Sequence, residues 1–261
     1  KTKFFSTQLT SDPYYKFPFL LPMKPIYVFP DIEAMAQEIA RCWHEQVTKA
    51  VSKKRVFSVV LSGGKTAPLI YGQLAKPEWR NRIPWEAVHI FFADERCVAP
   101  NNEGSNYKII YDHLLNKIQI PKENVHRIRG EEDPENEAIR YTKDIQNHLA
   151  LRKGNINFFD WVFLGIGTDG HTASLFPGQN IINSKKLCKA TQNPDTRQNR
   201  ITMTLAALNK SDRVTYHVIG ENKSEIVSKL VSKPSPSNIY PVSQIQGELF
   251  LDRQAASKID T

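Results

Sequence analysis

Short apolar runs alternate along the chain with stretches in which apolar residues recur every three or four positions. That alternation predicts strands separated by amphipathic helices. Ile26–Phe29 reads as a strand. Asp31 stands where a helix needs an N-cap, and Ile32, Met35, Ala36, Ile39 and Trp43 follow at helical spacing. The run VFSVVL at 56–61 predicts a buried strand. It breaks at Ser62-Gly63-Gly64-Lys65-Thr66, and Pro68 opens a helix to about Leu74. VHIFFA at 88–93 is a further strand, ending in Asp94-Glu95-Arg96. Helices are predicted over 105–118 and 135–152. A strand at 161–165 runs into GIGTDGH, and strands at 200–204, 214–219 and 248–251 follow. A helix near 224–230 and a short one after the last strand complete the pattern.

Apolar strands separated by helices imply an α/β fold, a parallel sheet with helices on both faces. The 261 residues fit one large domain with room for a small additional lobe. No interior linker is evident. The Pro/Ser segment 233–238 is a loop with too little chain after it to make a domain. Residues 1–25, whose short apolar part is interrupted by Pro18 and Pro22, read as an extension outside the fold rather than a signal peptide, leaving 26–261 as the domain.

Composition changes this picture little. With 40% hydrophobic and 24% charged residues, the chain is an ordinary globular one. Lys and Arg exceed Asp and Glu by 35 to 27, a net +8 that favours anionic partners. No block of like charges or aromatic-basic repeat points to nucleic acid, and no apolar run reaches transmembrane length. Cys42, Cys97 and Cys188 are sparse and odd in number, which argues for a reducing compartment, here the cytoplasm, and against a disulfide framework. No histidine has a second ligand at HxH or HxxxH spacing, so no metal site is expected.

Three polar clusters fall at the ends of apolar strands. In LSGGKTAP, two glycines between strand and helix let backbone N–H groups approach an anion, with Lys65 adding charge. A nucleotide-binding P-loop would need glycine at position 59, where Val59 stands. Taken alone, the loop fits an anion cradle and a plain tight turn equally well. Gly165 to Gly170 matches GxGxxG, but Pro177 cuts the following helix short and no acid follows a strand at the needed distance, so these glycines read as shaping a loop around Asp169 and His171. Asp94-Glu95-Arg96 forms the third cluster. In a parallel sheet, all three can share one edge and one pocket. A histidine there is a candidate general base.

At these residues the chain resembles the 6-phosphogluconolactonases, relatives of glucosamine-6-phosphate deaminase. The resemblance rests on SGGKTAP, on FFADERCV with NNEGSNY, on GIGTDGHTASLFPG, on Arg200-Ile201-Thr202-Met203-Thr204 and on Gly220-Glu221-Asn222-Lys223. The deaminases share the GxGxDGH core but continue toward Phe-Asn-Glu-Pro, where this chain has Ser174-Leu175-Phe176-Pro177. They also carry Asp-Glu-Tyr in place of Asp94-Glu95-Arg96.

The resemblance implies a modified Rossmann-like fold and hydrolysis of 6-phosphogluconolactone to 6-phosphogluconate, without metal or cofactor. It implies His171 as the base that activates water, with Asp169 orienting either His171 or the neighbouring loop. The substrate and its phosphate would be held by Ser62, Gly63, Gly64, Lys65, Asp94, Arg96, Arg200 and Lys223. The expected partner is a phosphorylated sugar lactone, bound by a monomer. Two other readings compete: a glucosamine-6-phosphate deaminase-like isomerase, and a non-catalytic sugar-phosphate sensor.

Overall fold

In the computed structural model, the described residues are 15–17, 25–151, 157–232 and 240–259, with backbone alone at 15–17 and 149–151. In chain order the elements are β1 (Tyr15–Phe17), β2 (Ile26–Phe29), α1 (Ile32–Ser52), β3 (Phe57–Leu61), α2 (Ala67–Leu74), α3 (Pro77–Arg80), β4 (Val88–Phe92), β5 (Asp94–Arg96) and α4 (Asn106–His113). Then come β6 (Val125–His126), α5 (Pro134–Leu151), β7 (Phe159–Leu164), β8 (Cys188–Gln192), β9 (Asn199–Met203), α6 (Leu205–Leu208), β10 (Ser211–Val218), α7 (Ser224–Val231) and β11 (Glu248–Asp252).

Eight strands form the main sheet in the order β1-β2-β11-β10-β7-β3-β4-β6. Every pairing is parallel except β1 with β2. The central parallel strands are mostly apolar because helices cover both faces. All residues of β3 and β7 are buried.

The helix α1 begins where Asp31 accepts the Ala34 N–H at 2.8 Å and lays Met35, Ile39, Trp43 and Val47 on the sheet, all fully buried. Trp43 packs against the rings of Phe57, Trp85, Trp161 and Phe163, with centroids 5.4–6.4 Å apart. Truncating so central an aromatic costs about 3–5 kcal/mol. Neighbouring residues of a strand face opposite ways. Phe57 therefore meets α1, while Ser58 turns to the other face and meets His148 of α5 at 2.7 Å.

Between β3 and β7 the registered pairs are only Val59 with Trp161 and Val60 with Val162. Past them, Ser62 Oγ donates to the Phe163 carbonyl at 2.7 Å.

A second sheet of three antiparallel strands, β5-β9-β8, forms the expected small lobe. It makes Asp94–Arg96 a strand rather than the loose end of β4.

Several expectations shift. The helix predicted over 105–118 stops at His113, because Leu114 has φ −136° and ψ −64°, outside the helical region, and a 3-10 turn at Leu115–Lys117 follows. Turns, not a helix, follow β11. Tyr15–Phe17 pairs along β2, so three residues of the expected extension lie on the sheet edge. The other residues up to 24, and the loop 233–238, are outside the described residues.

Candidate active site

The strand order reverses between β3 and β7. In open α/β sheets, ligands bind at such a point, outside the C-terminal ends of the strands. A cavity of about 500 Å³ opens there. The loop after β3 lines it with Gly63, Gly64 and Lys65, the loop after β7 with Gly167 and His171, and the turn after β10 with Gly220, Asn222 and Lys223; Asp94 and Arg96 come from β5.

The β7 loop closes on itself. The Gly167 N–H donates to the His171 carbonyl at 2.8 Å, and the Gly170 N–H to the Gly167 carbonyl at 2.9 Å. Gly170 has φ +82°, a conformation in which side chains are strained, and a Cβ there would also run into the Tyr240 ring. A Cβ on Gly167 would overlap Nδ1 of His171 and the carboxylate of Asp169. Gly167 makes room for the two polar side chains, and Gly170 for the Tyr240 ring beside the turn.

Asp169 Oδ1 lies 2.6 Å from His171 Nδ1 and also accepts the His171 backbone N–H at 3.2 Å. An ionised carboxylate only accepts, so Nδ1 carries the proton and Nε2 keeps its lone pair. The ring leans on Phe176 at 5.0 Å between centroids, with 35% of the side chain open to solvent. Burial alone would raise the Asp169 pKa, but the hydrogen bond and charge of His171 outweigh it and hold the carboxyl below its usual range.

The other side of the cleft is cationic. The β5–β9 register sets Arg96 directly opposite Arg200. Like charges in that position repel. Arg96 donates to the Gly104 carbonyl at 2.6 Å, yet the Nε atoms of both arginines are buried with no hydrogen-bond partner among the described residues. Burial first, then the charge of Arg96, lowers the Arg200 pKa, against the pull of Asp94 and Glu95. Two half-buried guanidinium groups whose buried Nε donors are unused form a place for an anion.

Lys223 donates to the Ile166 carbonyl at 2.7 Å, tying the β10 turn to the β7 loop. Burial lowers its pKa, Asp169 opposes that shift and Lys65 adds to it.

Eight of the ten residues singled out in the sequence line the cavity. Asp169 stands behind His171, and Arg200 behind Arg96. Two of the eight are engaged elsewhere: the Ser62 hydroxyl is spent on Phe163, and Asp94 accepts from Asn106 Nδ2 at 3.1 Å and Ser174 Oγ at 2.6 Å.

A scan of family models matches residues 30–251 to "Glucosamine-6-phosphate isomerases/6-phosphogluconolactonase". The chain belongs to this family. A 6-phosphogluconolactonase of Aggregatibacter actinomycetemcomitans is 37% identical over 203 residues, which are 76% of this chain and 85% of the relative. The crystal structure of devB protein superposes with a TM-score of 0.81 at 34% identity, covering 90% of this chain and 99% of that one. The 6-phosphogluconolactonase of Thermotoga maritima follows at 0.73 and 27%, covering 87% and 98%.

Within this glucosamine-6-phosphate isomerase/6-phosphogluconolactonase fold, one residue of the cleft wall escaped the reading of the sequence. Asn106 is buried, packs where a Cβ on Gly63 would sit, and leaves Oδ1 without a partner. Its signal was the NNEGSNY segment. Glu95 holds it there: that carboxylate accepts from the Asn106 and Tyr107 N–H groups at 2.7 and 2.8 Å and from Ser105 Oγ at 3.0 Å. Burial raises the Glu95 pKa against these bonds.

Proposed function

We propose that this protein is a 6-phosphogluconolactonase, in which His171 activates water against the lactone carbonyl. One observation carries the reading: a single cleft presents an Asp169-oriented imidazole and Lys223 on one side and the Arg96 and Lys65 charges on the other. Nε2 takes a proton from water, the hydroxide-like oxygen attacks the carbonyl carbon, and the ring C–O bond breaks as the tetrahedral centre collapses. The protonated imidazole returns its proton to the departing ring oxygen. Asp169 favours the imidazolium that forms between these steps. Charge developing on the carbonyl oxygen is met by N–H groups of the glycine loops or by a nearby cation.

The phosphate dianion sits against Arg96, with Arg200 behind it and the Gly63-Gly64 loop and Lys65 beside it. Ser62 and Asp94 act through the positions they hold, Ser62 on β7 and Asp94 on Asn106 and Ser174. The active unit is one domain, residues 26–261, acting as a monomer. The cytoplasm suits its three free thiols.

Turnover of freshly prepared 6-phosphogluconolactone, corrected for spontaneous hydrolysis, tests this. His171→Ala is expected to lower kcat by about 10²–10⁴-fold with KM little changed. Arg96→Ala is expected mainly to raise KM. Similar mild effects of both would contradict the assignment, and ammonia release from glucosamine 6-phosphate would favour the deaminase reading.

A further inference from the structure

Away from the cleft, the fold gathers three histidines that the sequence scatters. His89 lies on β4, His126 on the edge strand β6 and His148 on α5. Their ring centroids are 4.5–5.4 Å apart, and a ligating nitrogen of each lies within 4.8 Å of one on each of the others. Nδ1 of His89 and Nε2 of His126 are 3.1 Å apart. Two nitrogens bound about 2.0–2.1 Å from a tetrahedral zinc would be separated by about 3.3 Å.

The surroundings favour a metal. Asp144 Oδ1 is 2.9 Å from Nδ1 of His126, the carboxylate–histidine arrangement that fixes a ligating tautomer and aims the other nitrogen's lone pair. Here that nitrogen is the one beside His89. Phe91 stacks on the His126 ring at 4.1 Å and 2°, and Ser58 Oγ holds Nε2 of His148. His126 and Asp144 also line a second cavity of about 690 Å³, which brings open space to the outer side of the His126 ring. Three imidazole donors without a ligating carboxylate suit zinc-like ions rather than calcium or magnesium.

We propose that His89, His126 and His148 form a site for a zinc-type divalent metal ion, completed by water and distinct from the catalytic cleft. Binding replaces the His89–His126 hydrogen bond: the ring that donates the shared proton releases it to water and takes one up on its far nitrogen, so that it stays a neutral imidazole and both facing lone pairs turn to the metal. The third nitrogen closes by at most about 1.5 Å to reach ligand distance. The ion would pin the short strand β6 to β4 and α5.

The test uses the full chain, stripped with EDTA and dialysed against micromolar Zn²⁺, or titrated with Co²⁺ as a spectroscopic probe. The expected result is one retained equivalent, a tetrahedral Co²⁺ absorption band and a raised Tm. His89→Gln should abolish all three, Asp144→Asn should weaken binding about 10–100-fold, and His171→Ala should leave them unchanged. Circular dichroism checks that each variant is folded; should His89→Gln fail to fold, Asp144→Asn carries the test. Failure of the wild-type chain to retain metal overturns the proposal. So does retention unaltered in folded His89→Gln or in Asp144→Asn, or lost in His171→Ala.

Discussion

The imidazole at 171 owes its position to atoms that are missing. Gly167 leaves the space in which Asp169 and His171 meet, where an added methyl would fall on both, and Gly170 leaves room for the Tyr240 ring. Gly167→Ala is therefore expected to part the two side chains. A displacement near 1 Å is enough to cost about 10²-fold in turnover, while the far-ultraviolet spectrum stays native. Steady-state kinetics beside circular dichroism checks this. The spacing Asp-Gly-His between glycines was legible in the sequence because all its parts are local. The opposition of Arg96 and Arg200 was not, because it exists only once β5 and β9 pair. Nor was the histidine cluster: ligand spacing along a chain reports sites on one element, and these three rings arrive from three.

At the scale of elements, legibility follows burial. β3, β4 and β7 announce themselves because each is a short run in which one polar residue interrupts an otherwise apolar stretch. The helix α1 does so through its periodic stripe and its cap. β8 reads CKATQ and buries only Cys188 fully, so nothing in its pattern separates it from a loop. Strand β5 was read as a polar cluster because its residues are Asp, Glu and Arg. Its middle residue has a structural task, since the Glu95 carboxylate meets N–H groups in the first turn of α4. Glu95→Ala would strand those donors and the Ser105 hydroxyl. A loss of about 2–4 kcal/mol in urea unfolding is expected, together with reduced turnover as Asn106 slips from the cleft wall.

For the whole molecule, acid is the sensitive direction. His217 is fully enclosed on β10, and burial, reinforced by Arg213, pushes its pKa down from 6.5 to about 3. The unfolded chain takes up a proton at this residue near pH 6.5, and the folded chain does not. Stability from this group is thus whole above that pH and drains away as pH falls toward 3, with a slope approaching about 1.4 kcal/mol per pH unit. Urea titrations at descending pH should show the slope, and His217→Leu should flatten it. The cleft follows one line of the main sheet, where β3 and β7 share two registered pairs. His171 and Lys223 belong to one bank of that seam, the glycine loop and Arg96 to the other. A substrate lying across it acts as a staple, so occupancy should slow amide exchange along both strands, far from any atom the ligand touches.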